Sequence, residues 1–168
     1  MQRVESPRSK WWNAIFFLTA LLVVVADQFS KIWIRSHPEE QLIFKAGFFQ
    51  IVHTHNTGAA FGLFQGQSLP LTVFAFVGIA AILLFTLFFY HRFPLLDSKL
   101  GKPALGLILG GTIGNLIDRL RLGYVTDFIG VGIWPSFNIA DSAITVGAIW
   151  FAYYLLFLAR TKTASPSD

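Results

Sequence analysis

The sequence predicts an all-α membrane protein with four transmembrane helices and a small β-rich segment on one side of the bilayer. Three observations support this: 54% of the 168 residues are hydrophobic, only 13% are charged, and the apolar residues fall into four long stretches. A soluble protein of this size cannot bury so much apolar surface in its own core, so lipid must act as part of its solvent. The length fits a single domain.

The four apolar stretches cover about residues 11–34, 69–90, 103–120 and 139–159. At about 1.5 Å per residue, roughly 20 helical residues cross a hydrocarbon core of about 30 Å. The third stretch is the shortest and is rich in glycine, so we expect this helix to lie inside the bundle. The first stretch continues beyond Asp27 and Lys31 without a small-residue cleavage site, which favours a retained helix over a signal peptide.

The basic residues flank these stretches and do not form an aromatic-interleaved patch, so the net charge of +4 does not indicate nucleic-acid binding. If the N-terminus is inside, eight basic residues are cytoplasmic: Arg3, Arg8, Lys10, Arg92, Lys99, Lys102, Arg160 and Lys162. The other five are outside: Lys31, Arg35, Lys45, Arg119 and Arg121. The positive-inside rule therefore predicts that both termini are cytoplasmic.

This orientation places two segments outside, at about residues 36–68 and 121–137. The longer one contains LIFKAGFFQIVHTH, which is rich in β-branched and aromatic residues and is broken by Gly47. That pattern predicts a small hairpin or sheet. The polar end of the chain, about residues 161–168, is predicted to be disordered.

Charged and amide side chains are costly at membrane depth and usually face the protein interior. Here they gather near the predicted outer ends of three helices. They are Asp27, Gln28, Lys31 and Arg35 on the first, Asn115, Asp118, Arg119 and Arg121 on the third, and Asn138 and Asp141 on the fourth, with Asp127 in the segment before it. This convergence from distant parts of the chain predicts a functional site.

The third helix has a pattern that favours close packing. Gly106, Gly110 and Gly114 recur every four residues and predict a flat ridge that a neighbouring helix backbone can approach. The adjacent stripe carries Asn115 and Arg119 towards the outer end. The ridge by itself indicates packing, whereas the amide and the guanidinium indicate a site.

Asp127 and Asp141 are the candidate catalytic pair. Two carboxylates at a low-dielectric surface can share one proton, so that one acts as a base on water while the other polarises a scissile carbonyl. Spacing alone leaves an alternative open. Asn138 can cap a helix whose dipole suits Asp141, and Asp127 can be a solvated loop acid.

Metal chemistry has little support in the sequence. His53 and His55 alternate on a predicted strand and could share an ion, but no convincing third ligand is nearby, so no metal site is predicted. The chain has no cysteine, which excludes a thiol nucleophile, a disulfide and a thiolate metal site.

The polar residues fall in five blocks that resemble the lipoprotein signal peptidases, the signal peptidase II family of bacterial membrane aspartic proteases. The blocks stand in the family order over nearly the whole chain: DQFSK at 27–31, NTGAAFG at 56–62, GGTIGNLIDR at 110–119, VTDFI at 125–129 and FNIADSAI at 137–144. The stretch from His53 to His55 is not part of this pattern.

The resemblance implies cleavage of the signal peptide from a diacylglyceryl-modified prolipoprotein, just before the lipidated cysteine. The catalytic aspartates of the family correspond to Asp127 and Asp141. Further motif residues that bind substrate or support the aspartates correspond to Asp27, Lys31, Asn56, Gly58, Asn115, Arg119, Asn138 and Ala140, and the same pattern includes Ala60 and Gly111.

The family also implies a multi-pass protein of the bacterial cytoplasmic (inner) membrane, with its active site near the outer leaflet and no cofactor. Its implied partners are lipidated prolipoproteins and membrane lipid, and we expect one chain to act as a monomer. The alternative class is a small proton- or ion-coupled transporter. A transporter usually has polar residues at mid-membrane and internal repeats, and neither is visible here.

Overall fold

The computed structural model describes residues 7–58, 66–89 and 101–163. The elements are α1 (Pro7–Arg35), β1 (Leu42–Ala46), β2 (Phe49–Asn56), α2 (Ser68–Leu84), α3 (Gly101–Leu122), β3 (Val125–Val131) and α4 (Ile139–Thr163). A π-helical turn, Phe85–Phe89, continues α2. The predicted fold class, a helical membrane protein with a small sheet, is confirmed.

Among the described residues, three helices are long and apolar enough to cross a membrane: Trp11–Arg35, Ser68–Phe88 and Ile139–Leu156. The clearest case is α2, which has no buried residue. Its Phe74 and Val77 are 64% and 62% exposed. An apolar helix with this much exposed surface needs lipid around it.

The remaining long helix, α3, is not among these apolar spans, because it carries several glycines and charged residues. Of its 22 residues, 12 are buried. It packs along α1 and α4, and α2 contacts it as well. The expectation that the glycine-rich helix lies inside the bundle is confirmed.

The glycines of α3 set the distances between helices. A Cβ atom at Gly110 would lie 2.6 Å from the carbonyl oxygen of Ala20, and one at Gly106 would lie 2.7 Å from that of Phe16. The predicted ridge therefore faces α1. Gly111 instead faces α4, where a Cβ atom would collide with the Ala140 carbonyl.

The three strands form one antiparallel sheet in the order β1-β2-β3. The predicted hairpin corresponds to β1 and β2, whereas β3 comes from the short outer segment. In the β2–β3 pair, Thr54 lies opposite Asp127 and Asn56 lies opposite Val125. Asp127 is 2% exposed, so the alternative of a solvated loop acid is wrong.

The last helix ends at Thr163, so residues 161–163 are helical although the sequence predicts a disordered tail from about 161. No glycine or proline lies between Gly147 and Pro166 to end the helix earlier. Ala60 of the family pattern, the basic residues Arg3, Arg92 and Lys99, and residues 164–168 lie outside the described residues.

Candidate active site

The carboxyl group of Asp127 lies on β3 and is held by two amides from other elements. Its Oδ2 accepts a hydrogen bond from Nδ2 of Asn56 at 2.8 Å. Its Oδ1 accepts one from Nδ2 of Asn138 at 2.7 Å. On the backbone, Oγ1 of Thr54 donates to the Asp127 carbonyl at 3.0 Å. The orientation of this carboxyl group is therefore fixed by β2 and by the start of α4.

Asp141 lies in the first turn of α4 and is held by a reciprocal cap. The backbone N–H of Asp141 donates to Oδ1 of Asn138 at 2.9 Å, and that of Asn138 donates to Oδ2 of Asp141 at 3.2 Å. The proposed N-cap is therefore present. It does not exclude a chemical role, because Oδ1 of Asp141 also accepts from Nδ2 of Asn115 at 2.8 Å.

The amide of Asn115 can have only one orientation. Its Oδ1 accepts from Nζ of Lys31 at 2.9 Å and from Nδ2 of Asn138 at 3.1 Å. A lysine ammonium only donates, so the Asn115 oxygen must face it and the Asn115 nitrogen must face Asp141. One buried cation thus directs the hydrogen bond that Asp141 receives.

Lys31 is fully buried among acidic groups. Its Nζ lies 2.8 Å from Oδ2 of Asp27 and 3.4 Å from Oδ2 of Asp118, and all three side chains are at most 1% exposed. Oδ1 of Asp27 accepts from the backbone N–H of Ala140 at 3.0 Å. These contacts join α1, α3 and α4 behind the two candidate catalytic aspartates.

Two residues outside the family motif set, Asp118 and Arg35, belong to the same network. Oδ2 of Asp118 accepts from the backbone N–H of Thr126 at 3.0 Å. Nη1 of Arg35 contacts Asp118 at 3.2 Å and Oγ1 of Thr126 at 3.0 Å. They thus hold the residue just before Asp127. The convergence of polar residues in the sequence pointed to them, but not to this role.

A cavity of about 840 Å³ opens beside the two aspartates. Its polar wall is formed by Asp127, Asp141, Asn56, Gly58, Asn115 and Arg119, and its apolar wall includes Trp134, Phe137, Ile144 and Val146. Nη2 of Arg119 donates to the carbonyl oxygen of Gly58 at 3.4 Å. A volume of several hundred Å³ with a few convergent polar groups is typical of ligand sites.

Burial raises the pKa of Asp127 from 3.8 to about 7, and the negative charge of Asp141 adds to this rise. Hydrogen bonds from Asn56 and Asn138 oppose it. Asp127 can therefore hold a proton near neutral pH. In a pair made of one carboxylic acid and one carboxylate, the acid can donate a proton and the carboxylate can accept one.

The structure brings the predicted site residues together in two layers. Six of the ten line the cavity: Asp127, Asp141, Asn56, Gly58, Asn115 and Arg119. The other four lie behind it: Asp27, Lys31, Asn138 and Ala140. Within the described parts of the chain, no group of three or more His, Cys, Asp or Glu side chains is placed to hold a metal ion.

Comparisons with known proteins agree on one family. Residues 19–157 match the family model of signal peptidase (SPase) II. The chain is 52% identical over 156 residues to a lipoprotein signal peptidase of Dehalococcoides mccartyi, covering 92% of this chain and 94% of that protein. It is 42% identical over 153 residues to that of Moorella thermoacetica, covering 90% and 99%.

A solved structure of a bacterial membrane enzyme, determined by the in meso method at 2.3 Å resolution, has the same fold. It superposes with a TM-score of 0.80 at 28% sequence identity, over 91% of this chain and 94% of that one.

Proposed function

The chain belongs to the signal peptidase II family of bacterial multi-pass membrane proteins, and we propose that it is an aspartic endopeptidase that removes signal peptides from lipidated prolipoproteins. One observation supports the aspartic chemistry above all. Two carboxyl groups from different elements, Asp127 and Asp141, line one cavity, and the pKa of Asp127 is raised to about 7.

In the proposed first step, Asp141 is ionised and accepts a proton from a water molecule. The water oxygen attacks the carbonyl carbon of the scissile peptide bond. Protonated Asp127 donates its proton to the carbonyl oxygen, so a neutral gem-diol forms without a build-up of negative charge. The hydrogen bonds from Asn115 and Asn138 keep the two carboxyl groups oriented for this exchange.

In the second step, Asp141 returns its proton to the amide nitrogen, and Asp127 takes one back from a gem-diol hydroxyl. The carbon–nitrogen bond then breaks. The products are a carboxylic acid at the end of the signal peptide and an amine on the cysteine that begins the mature protein. The two aspartates regain their initial protonation, so no cofactor is consumed.

A lipid group on the substrate would hold the substrate at the membrane, which explains why the site is built on membrane helices. The cavity lining includes apolar residues such as Trp134 and Phe137 as well as the polar ones. Burying an acyl chain is worth about 0.8 kcal/mol per CH₂, so a diacylglyceryl group can hold the peptide at the membrane. The transporter alternative has no support, because the family is a peptidase family.

The direct experiment incubates the purified protein with a lipidated prolipoprotein peptide and measures cleavage by mass spectrometry. We expect a single cut just before the lipidated cysteine. The matched control is the same peptide without lipid, which should be cut poorly or not at all. Equal rates for both peptides would contradict recognition of the lipid.

Topology is a separate part of the proposal. We propose that both termini are cytoplasmic and that the site lies near the outer leaflet, as eight basic residues on one side against five on the other favour. A reporter fused after Arg160 should report the cytoplasm, and one inserted between β1 and β2, at Gly47, should report the outside. The reverse pattern would place the site on the wrong side for exported substrates.

A further inference from the structure

Thr126 precedes Asp127 on β3 and is fully buried, with 0% of its surface exposed. Side chains alternate along a strand, so those of Thr126 and Asp127 extend from opposite faces of the sheet. Asp127 lines the cavity, whereas Thr126 bonds to residues of the helices. A group that holds Thr126 can therefore fix the position of Asp127 without any contact with a substrate.

Three polar groups of Thr126 make hydrogen bonds to three different parts of the chain. Its backbone N–H donates to Oδ2 of Asp118 on α3 at 3.0 Å. Its Oγ1 accepts from Nη1 of Arg35 on α1 at 3.0 Å. Its carbonyl oxygen accepts from Nδ2 of Asn138, just before α4, at 3.4 Å. The backbone that leads into Asp127 is thus fixed from the side of α1, α3 and α4.

Arg35 is the last residue of α1, and its guanidinium joins two of these groups. Nη1 of Arg35 lies 3.0 Å from Oγ1 of Thr126 and 3.2 Å from Oδ1 of Asp118. A guanidinium only donates, so the hydroxyl oxygen of Thr126 must be the acceptor. The Arg35 side chain is 19% exposed, and a hydrogen bond from a charged donor is stronger than one between neutral groups. This bond therefore constrains Thr126 more than a neutral hydrogen bond would.

Arg35 is not needed to neutralise Asp118. Nζ of Lys31 lies 3.4 Å from Oδ2 of Asp118, so this carboxylate keeps a buried cation when Arg35 is replaced. Nε2 of Gln28 also donates to Oδ1 of Asp118 at 3.4 Å. The main loss on replacing Arg35 is therefore its bond to Thr126. Mutation can thus separate the position of β3 from the charge balance of the network.

On the premise of the proposed peptidase function, we propose that Arg35 and Thr126 form a positioning pair that aligns the Asp127 carboxyl group for catalysis. Neither side chain lines the cavity, so the pair acts through the backbone of β3. It should therefore affect kcat and leave KM unchanged. A misplacement of about 1 Å can cost about 100-fold in rate. Loss of one of the three bonds to Thr126 should cost less, about 10-fold in kcat.

The test measures kcat and KM of the full-length protein in detergent micelles, with a lipidated prolipoprotein peptide as substrate. Thr126→Val keeps the shape of the side chain but removes the hydroxyl acceptor, so kcat should fall about 10-fold. Thr126→Ser keeps the hydroxyl and should restore kcat to near that of the unmodified protein. Thr72→Val is the matched control and should retain kcat, because the Thr72 hydroxyl donates to the Ser68 carbonyl oxygen of α2.

Arg35→Met tests the other member of the pair, and Lys45→Met on exposed β1 is its control for the loss of a positive charge. The double variant Arg35→Met/Thr126→Val should be no slower than Arg35→Met alone, because both substitutions remove the same hydrogen bond. Thermal unfolding of each variant separates misalignment from loss of the fold. A positioning role predicts a lower kcat, an unchanged KM and a protein that stays folded at the assay temperature.

The positioning pair is overturned if Thr126→Val keeps full kcat, if Thr126→Ser is as slow as Thr126→Val, or if the two single losses multiply in the double variant. It is also overturned if Thr126→Val and Arg35→Met are both unfolded at the assay temperature, since the pair is then only structural. No cleavage by the unmodified protein would overturn the peptidase function as well. Normal cleavage by the protein and by these variants would overturn the positioning pair alone.

Discussion

The two halves of α3 hold their neighbours in different ways. In the half from Gly101 to Gly111, glycines let the backbones of α1 and α4 approach until a single added Cβ atom would collide. In the half from Gly114 to Leu122, buried polar side chains such as Asn115 and Asp118 make hydrogen bonds and ion pairs. The first half is mainly close backbone packing, and the second is a polar network.

The difference shows how a membrane helix can carry a site. Hydrogen bonds of 2.8–2.9 Å, such as those of Asn115 with Asp141 and with Lys31, tolerate little change in helix spacing. The glycines of the first half set that spacing, and the buried Lys102 at its start donates to Oδ1 of Asn13 at 2.6 Å. Damage to the packed half should therefore also reach the site, whereas damage to the polar half should leave the helix packing closer to intact.

The largest effect on cleavage should come from breaking the packed half. Gly110→Leu places a side chain where a Cβ atom already lies 2.6 Å from the Ala20 carbonyl oxygen. We expect a loss of about 3 kcal/mol or more in stability and loss of cleavage. Thermal unfolding and peptide cleavage measure both. Gly78→Leu is the control, because a Cβ atom at Gly78 meets nothing within 4 Å. Full stability of Gly110→Leu would show that the ridge does not pack on α1.

The polar half is disturbed most strongly by removing Lys31, the buried cation of α1 that Asn115 and Asp118 contact. Lys31→Met leaves Asp27 and Asp118 without their shared partner and removes one of the two hydrogen bonds to the oxygen of Asn115. Removing one member of a buried ion pair costs about 3–5 kcal/mol, and cleavage should fall with it. Lys45→Met on exposed β1 is the control for loss of a positive charge. Unchanged unfolding and turnover in Lys31→Met would mean that the network does not support the site.

The pH dependence of stability and of cleavage tests the candidate site that the polar half supports, without a mutation. The pKa of Asp127 is raised by burial to about 7, so the folded state binds this proton more tightly than the unfolded state. Its contribution to stability is therefore present below about pH 4 and is lost as the pH rises to about 7. Cleavage should also fall above about pH 7, because the proposed acid is then ionised. A rate that stays constant from pH 6 to about pH 9 would argue against Asp127 as the acid.

The smallest effect should come from a single peripheral hydrogen bond. Thr54→Val removes the bond from Oγ1 to the Asp127 carbonyl but keeps the shape of the side chain. We expect a loss of about 1 kcal/mol in stability and a modest loss of cleavage. Thr72→Val on α2, whose hydroxyl donates to the Ser68 carbonyl oxygen of the same helix, should change less. A larger effect for Thr72→Val would show that the hydrogen bond from Thr54 to the Asp127 carbonyl oxygen is not important for the site.

The two halves also differ in how well the sequence predicts them. The glycine ridge follows from residues four apart on one helix, so periodicity alone predicts it. Which side chains of the polar half bond to each other depends on segments far apart in the chain, such as β2 and β3, which meet across 73 positions between Thr54 and Asp127. The orientation of the Asn115 amide likewise depends on Lys31, 84 positions away.

Local sequence signals were also ambiguous for the aspartates. The capping pattern around Asn138 and Asp141 is present, yet the same residues contact Asp127 and the cavity. Propensity reveals the cap, and only the fold reveals the second set of contacts. The strand β3 lies in a short segment between two helices, and it forms because β2 supplies a pairing partner.

The most direct test of the proposed mechanism compares Asp127→Asn, Asp141→Asn and the double variant at matched protein levels, with cleavage of a lipidated precursor as the readout. Asparagine is nearly isosteric with aspartate but cannot carry the shared proton. Each single variant should lose nearly all turnover, and the double variant should be hardly worse, because the two residues act as one unit. Substantial turnover in either single variant would contradict the two-aspartate mechanism.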